Sequence, residues 1–245
     1  MNILKGDCLS IICKYLSPGD IINLLNVVGK EKIFKIKDCY LSVAEKFIDN
    51  WFRNFFDGLS QNTNENGTIK DYDNFRNNMI GSMISGSFIL QLLLGEKWGD
   101  SDIDIFLKES HRNVCKVSSI HRFLYALQCK YNGQYICEEN KIKRLRSYTS
   151  SSNEIHRILE YPIKNEKFQC IGLNAKNEIS VLDHINSFDF NFCKNVFYYD
   201  DTGPHLVIPH LEDVIFKRTK ISSINLTKSS LQRYEKYLQR GFTFY

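Results

Sequence analysis

Asp102-Ile103-Asp104-Ile105-Phe106 alternates strictly between acidic and apolar side chains at its start and ends on an aromatic ring. Successive residues of a strand point to opposite faces, so this pattern predicts a β-strand with Ile103 and Ile105 in a core and both carboxylates on the other side. Two anions held side by side repel, and the arrangement is costly unless a cation is bound between them. Paired hard oxygen donors suit Mg²⁺, which keeps several waters and shares its shell with substrate phosphates. The stretch from Asp100 also begins like a calcium loop. That loop needs Gly at its sixth place and Glu at its twelfth, where this chain has Ile105 and His111. The bland alternative is a pair of exposed acids on an edge strand beside an incidental turn.

Upstream, residues 83–95 read as a short approach, a tight Gly86-Ser87 turn and a buried helix stopped at Gly95. Gly86 permits a close backbone approach, and Ser87 opens a helix whose free N–H groups and positive end favour phosphate. Far downstream, Phe188-Asp189-Phe190-Asn191-Phe192 alternates again and predicts a second strand. Its Asp189 would leave the face opposite to the aromatic anchors and could complete a two-metal site with the first pair. Asp183, Asp200 and Asp201 are neighbouring rivals, but only Asp189 has the flanking alternation.

Gly86-Ser87, fourteen intervening residues, Asp102-Ile103-Asp104-Ile105 and a distant Asp189 resemble the signature of the DNA polymerase β-like nucleotidyltransferase superfamily, over roughly residues 79–200. The resemblance implies an α+β fold, a mixed sheet flanked by helices, with helical segments at both ends. It implies that Asp102 and Asp104 bind two Mg²⁺ (or Mn²⁺) ions and that Asp189 holds the catalytic ion and activates the acceptor. Gly86 and Ser87 would grip the triphosphate of an NTP. The reaction implied is transfer of a nucleoside monophosphate to a hydroxyl with release of pyrophosphate. An RNA end, a protein or a small molecule all remain open as acceptor.

The first sixty residues have a character of their own. Apolar residues recur at helical spacing from Leu9, and Ser17-Pro18-Gly19-Asp20 announces a second helix through its capping Ser and first-turn Pro. Leu4, Leu9, Ile12, Leu16, Ile21, Leu24 and Val27 resemble an F-box, which implies a Skp1-like partner, although Lys5 stands where that motif usually has Pro. The polar run 61–68 marks a boundary, giving an F-box-like segment over 1–60 and a transferase domain over 70–245. The alternative function is thus an F-box-like adaptor or other non-catalytic binding module on a transferase scaffold.

A net charge of +4 permits an anionic partner but falls short of a nucleic-acid coat. The basic run 141–146 and the face carrying Arg233, Lys236 and Arg240 on a C-terminal helix read by default as solvated charge. Eight cysteines without C-x-x-C pairing read as reduced core residues, and no secretory leader or membrane-length apolar run is apparent. The expected setting is intracellular, cytoplasmic or nuclear, with no membrane partner.

Overall fold

Period-two patterning in the middle of the chain and helical patterning on either side produce a sheet with helices packed across it. The computed structural model describes residues 6–60, 71–99, 101–109, 119–132, 155–175, 178–220 and 228–245. In chain order these form α1 (Gly6–Cys13), α2 (Pro18–Val28), α3 (Ile33–Ser60), α4 (Asp71–Met79), β1 (Met83–Ser85), α5 (Ser87–Leu94), β2 (Ile103–Glu109) and α6 (Ser119–Asn132). There follow β3 (Ile155–Ile163), β4 (Glu166–Asn174), α7 (Val181–Asn186), β5 (Val196–Asp200), β6 (Gly203–Val207), α8 (Leu211–Ile215), β7 (Arg218–Thr219), α9 (Lys228–Gln239) and β8 (Thr243–Phe244). The polar run at 61–68 and the basic run at 141–146 lie outside the described residues.

Six strands make one mixed sheet in the order β3-β4-β2-β1-β5-β6, in which only β2 and β4 run parallel. The expected architecture, a mixed sheet flanked by helices, is what the chain adopts. On β2 the alternation works as its sequence predicts. Ile103, Ile105 and Leu107 are buried in the main core with the α3 aromatics, while Phe106 belongs to a second, smaller core with Val181 and Ile185 of α7. Ser17 caps α2 by accepting the Asp20 N–H, and Ser180 caps α7 in a reciprocal box with Asp183.

The α1–α2 pair is built into the main core rather than set apart from it. Leu9, Cys13, Ile21 and Leu25 are buried in the cluster that holds Ile84 and Ile103. Gly19 of α2 lies so close to Gly95 that an added Cβ would stand 2.7 Å from the Gly95 Cα, so these two backbones meet without side chains between them. Among the residues that carry the F-box resemblance, Leu9 and Ile21 are buried, Leu16 and Leu24 half-buried, and Ile12 and Val27 exposed; Leu4 lies outside the described residues.

One expected strand is absent. Residues 188–192 form a bend that runs into a 3₁₀ turn at Asn191–Cys193. A strand would send Phe188, Phe190 and Phe192 to one face, but here they part. Phe188 packs on Phe106 at 5.6 Å and on His184 at 5.9 Å. Phe190 and Phe192 instead meet Tyr237 of α9 at 5.6 and 4.7 Å, and Phe192 meets Phe242 at 4.2 Å. Aromatic residues spaced by two satisfy two separate clusters through a turn, which alternation alone does not distinguish from a strand.

Candidate active site

β1 ends at Ser85, hydrogen-bonded alongside Asp104, and the chain then turns at Gly86 into α5. Gly86 adopts φ +88°, and a Cβ built there would lie 3.1 Å from Asp104 Oδ2. Two requirements therefore select glycine, a left-handed backbone and room for the carboxylate. Gly86 offers no side chain to cap α5, so the cap leaves the first N–H groups of that helix to other partners. Ser87 Oγ is 2.9 Å from Ser101 Oγ, which ties the turn to the entry of β2.

Asp102 and Asp104 have different surroundings although both leave the same face. The pairing of β2 with β4 places Gln169 beside Asp104, and its amide donates to Asp102 Oδ2 at 2.8 Å. Lys167 Nζ holds the other oxygen of Asp102 at 2.9 Å. Both Asp102 oxygens are thus engaged by the chain itself. Asp104 is half-buried, and burial, followed by the Asp102 charge, raises its pKa to about 7, against weaker opposition from Lys167 and Lys236.

A cleft of about 330 Å³ opens over this face. Gly86, Ser87, Asp102, Asp104 and Asp189 line it together, joined by Arg233, Lys236 and Tyr237 from α9. The chain thus brings all five expected site residues to one cleft. The three rivals do not line it: Asp183 is spent in the α7 cap, Asp200 accepts from Thr202 and pairs with His205, and Asp201 is exposed. Asp189 is itself held by Arg233, with Nη2 2.5 Å from Oδ2. Among the described residues, no group of three or more His, Cys, Asp or Glu gathers as metal ligands do. The expected three-acid metal nest is therefore not formed: Asp189 lines the same cleft as the Asp102–Asp104 pair but is bound to a guanidinium.

The rest of the lining is mainly apolar, with Gln169, His184 and Ser187 as its polar members. Phe106, Ile158, Ile171 and Phe188 supply a hydrophobic wall, and burial pushes the Cys193 thiol up to about 12, which disfavours its thiolate at neutral pH. The cations of α9 were not legible as site residues. Their helical spacing looks solvated in sequence, and long-range packing of Tyr237 against Phe190, Phe192 and Phe242 aims that face inward. No described helix is long and apolar enough to cross a membrane.

The chemistry of Asp104 and Asp102 suits a divalent cation, although Asp102 would have to share or give up its contacts with Lys167 and Gln169. Their carboxylates are hard oxygen donors on one strand face, and like charge and burial already disfavour the ionised form of Asp104, which a cation would relieve.

Comparison with known proteins gives one family and several structures. Residues 43–225 match the family described as Gabija anti-defense 2 family protein. A CCA-adding enzyme in complex with CTP is similar at 14% identity over 81% of this chain and 39% of that one, with a TM-score of 0.46. A CCA-adding enzyme head domain solved by NMR shares 10% identity over 71% of this chain and 89% of its own, with a TM-score of 0.38. An apo CCA-adding enzyme shares 14% identity over 71% and 39%, with a TM-score of 0.40. This chain spans about 39% of the length of the CTP-bound enzyme. No curated protein matches it.

Proposed function

The chain belongs to the Gabija anti-defense 2 family, and from that premise we propose that it opposes Gabija defence as a metal-dependent nucleotidyltransferase. In this reading it moves a nucleoside monophosphate from an NTP to a hydroxyl acceptor and releases pyrophosphate. The observation that carries the reading is the closeness of the Asp104 carboxylate to the Gly86 turn, where an added Cβ would stand 3.1 Å from Oδ2, in a cleft that Ser87, Asp102 and Asp189 also line. A phosphate seat directly against an acidic pair is the arrangement that such a transfer needs, because positioning and charge neutralisation supply most of its catalysis.

Asp102 and Asp104 would hold the divalent cation, Mg²⁺ or Mn²⁺, in one or two copies. When bound, the cation would neutralise charge developing on the phosphate oxygens. Gly86 leaves space for a phosphate beside the carboxylates, and Ser87 with the first N–H groups of α5 orients it. Asp189 is the chain's candidate acceptor of the hydroxyl proton once Arg233 no longer holds it. Phe106, Ile158 and Ile171 give that end of the cleft an apolar wall.

A second reading is a binding module without turnover, including an F-box-like adaptor for a Skp1-like partner. It is supported by the engagement of Asp102 by Lys167 and Gln169, and by exposed Ile11 and Ile12 on α1, Tyr15 in the turn after it and Val27 on α2. Incubating the chain with each NTP, Mg²⁺ or Mn²⁺, and RNA, the proteins of Gabija defence or small hydroxyl compounds, while following pyrophosphate, separates the two. Pyrophosphate release that falls by orders of magnitude in Asp102→Ala and Asp104→Ala, both still folded, supports transfer. NTP binding with no release, or co-purification with Skp1, supports the module.

A further inference from the structure

Arg233 and Lys236 lie three residues apart on α9 and so share a helix face. Both enter the cleft that contains Gly86, Ser87 and Asp189. The position of that face is set by Tyr237, which is buried, packs on Phe192, and accepts a hydrogen bond from Cys193 Sγ at 3.0 Å. Among the described residues Arg233 makes one ion pair, Nη2 to Asp189 Oδ2, while its Nε is buried without a hydrogen-bond partner there. A guanidinium carries five N–H donors in a rigid fork suited to phosphate, so a single carboxylate contact leaves most of that capacity unused.

The pair is also exchangeable. Both side chains are about one-third exposed, 39% and 33%, a setting in which ion pairs contribute little. Lys194 interacts electrostatically with Asp189 as well, so departure of Arg233 would not leave that carboxylate without a nearby cation. A polyphosphate offers Arg233 several anionic oxygens in place of one carboxylate, and charge-assisted contacts of that kind are the strong ones.

Building on the nucleotidyltransferase reading, we infer that Arg233 and Lys236 are the cationic half of a polyphosphate site whose other half is the Gly86-Ser87 turn. Arg233 rests on Asp189 and transfers to phosphate when a nucleotide enters the cleft. The same movement frees Asp189. Arg233 is therefore a substrate-binding residue that keeps the third acid occupied until substrate arrives.

The test is calorimetric titration of the full chain with inorganic tripolyphosphate in metal-free buffer, for wild type, Arg233→Ala, Asp189→Asn and the double variant, each checked for folding by thermal melting. Arg233→Ala is expected to weaken binding about tenfold. Asp189→Asn is expected to tighten it severalfold by releasing Arg233, and that gain should shrink in the Arg233→Ala background. Should Arg233→Ala not fold, Arg233→Lys serves instead and is expected to lose less affinity because it keeps charge without the fork. Undiminished affinity without Arg233, or an equal Asp189→Asn gain with and without it, overturns the inference and leaves the nucleotidyltransferase reading standing. A wild-type chain that binds neither tripolyphosphate nor any NTP with Mg²⁺ removes both.

Discussion

A carboxylate that is half-buried beside another is stable only when neutral or matched by positive charge, and Asp104 is placed in that position by a glycine turn and a strand register. The pair was legible in the sequence because period-two alternation is local. Its partners were not: Gln169 lies sixty-seven residues from Asp102, and nothing in either segment announces that β2 and β4 run side by side. The raised pKa of Asp104 has a consequence for stability. Its folded value of about 7 lies above the ordinary 3.8, so the folded state holds that proton longer than the unfolded one. Stability from this site is greatest at low pH and is lost as pH rises through about 7. In metal-free buffer, Asp104→Asn should therefore gain thermal stability relative to wild type between about pH 5 and pH 8, and added Mg²⁺ should reduce the gain. A difference that is flat with pH, or that falls, would show that Asp104 is not disfavoured as an anion.

At the scale of elements, residues 188–192 and α9 show where sequence reading stops. Both patterns were visible, but the first satisfied a turn between two aromatic clusters and the second turned Arg233 and Lys236 toward the cleft while leaving them partly exposed. The deciding contacts are long-range. Phe192, fully buried, touches Tyr237 and Phe242 and so joins the Asp189 turn to α9. Phe192→Ala should cost about 3–5 kcal/mol, the usual range for removing a buried aromatic ring. Melting should fall by roughly 10 °C for a chain of this size. Tripolyphosphate binding should weaken as well, because Asp189 and Arg233 lose a common anchor. A variant that melts near wild type with unchanged affinity would mean that the cluster does not position the cleft.

Across the whole molecule, one core runs from Leu9 to Phe242, and α1 and α2 contribute to it. A division at residues 61–68 is a natural reading of polar composition, yet composition does not reveal that Leu25 and Leu93 share a cluster. Leu25→Ala, about 2–5 kcal/mol destabilising, should lower a single transition seen alike by circular dichroism and tryptophan fluorescence. Two transitions, only one of them moved, would instead make the N-terminal helices a separate unit. The claim on which the functional account rests is chemical, that the cleft breaks an NTP between its α- and β-phosphates. It is tested most directly by supplying NTP labelled at the α- or the γ-phosphate with a divalent cation and an acceptor, and asking which label stays with the acceptor. The account predicts retention of the α-label, release of the γ-label in pyrophosphate, and loss of both in Asp104→Ala. Transfer of the γ-label, or α-label transfer that persists without Asp104, would contradict it.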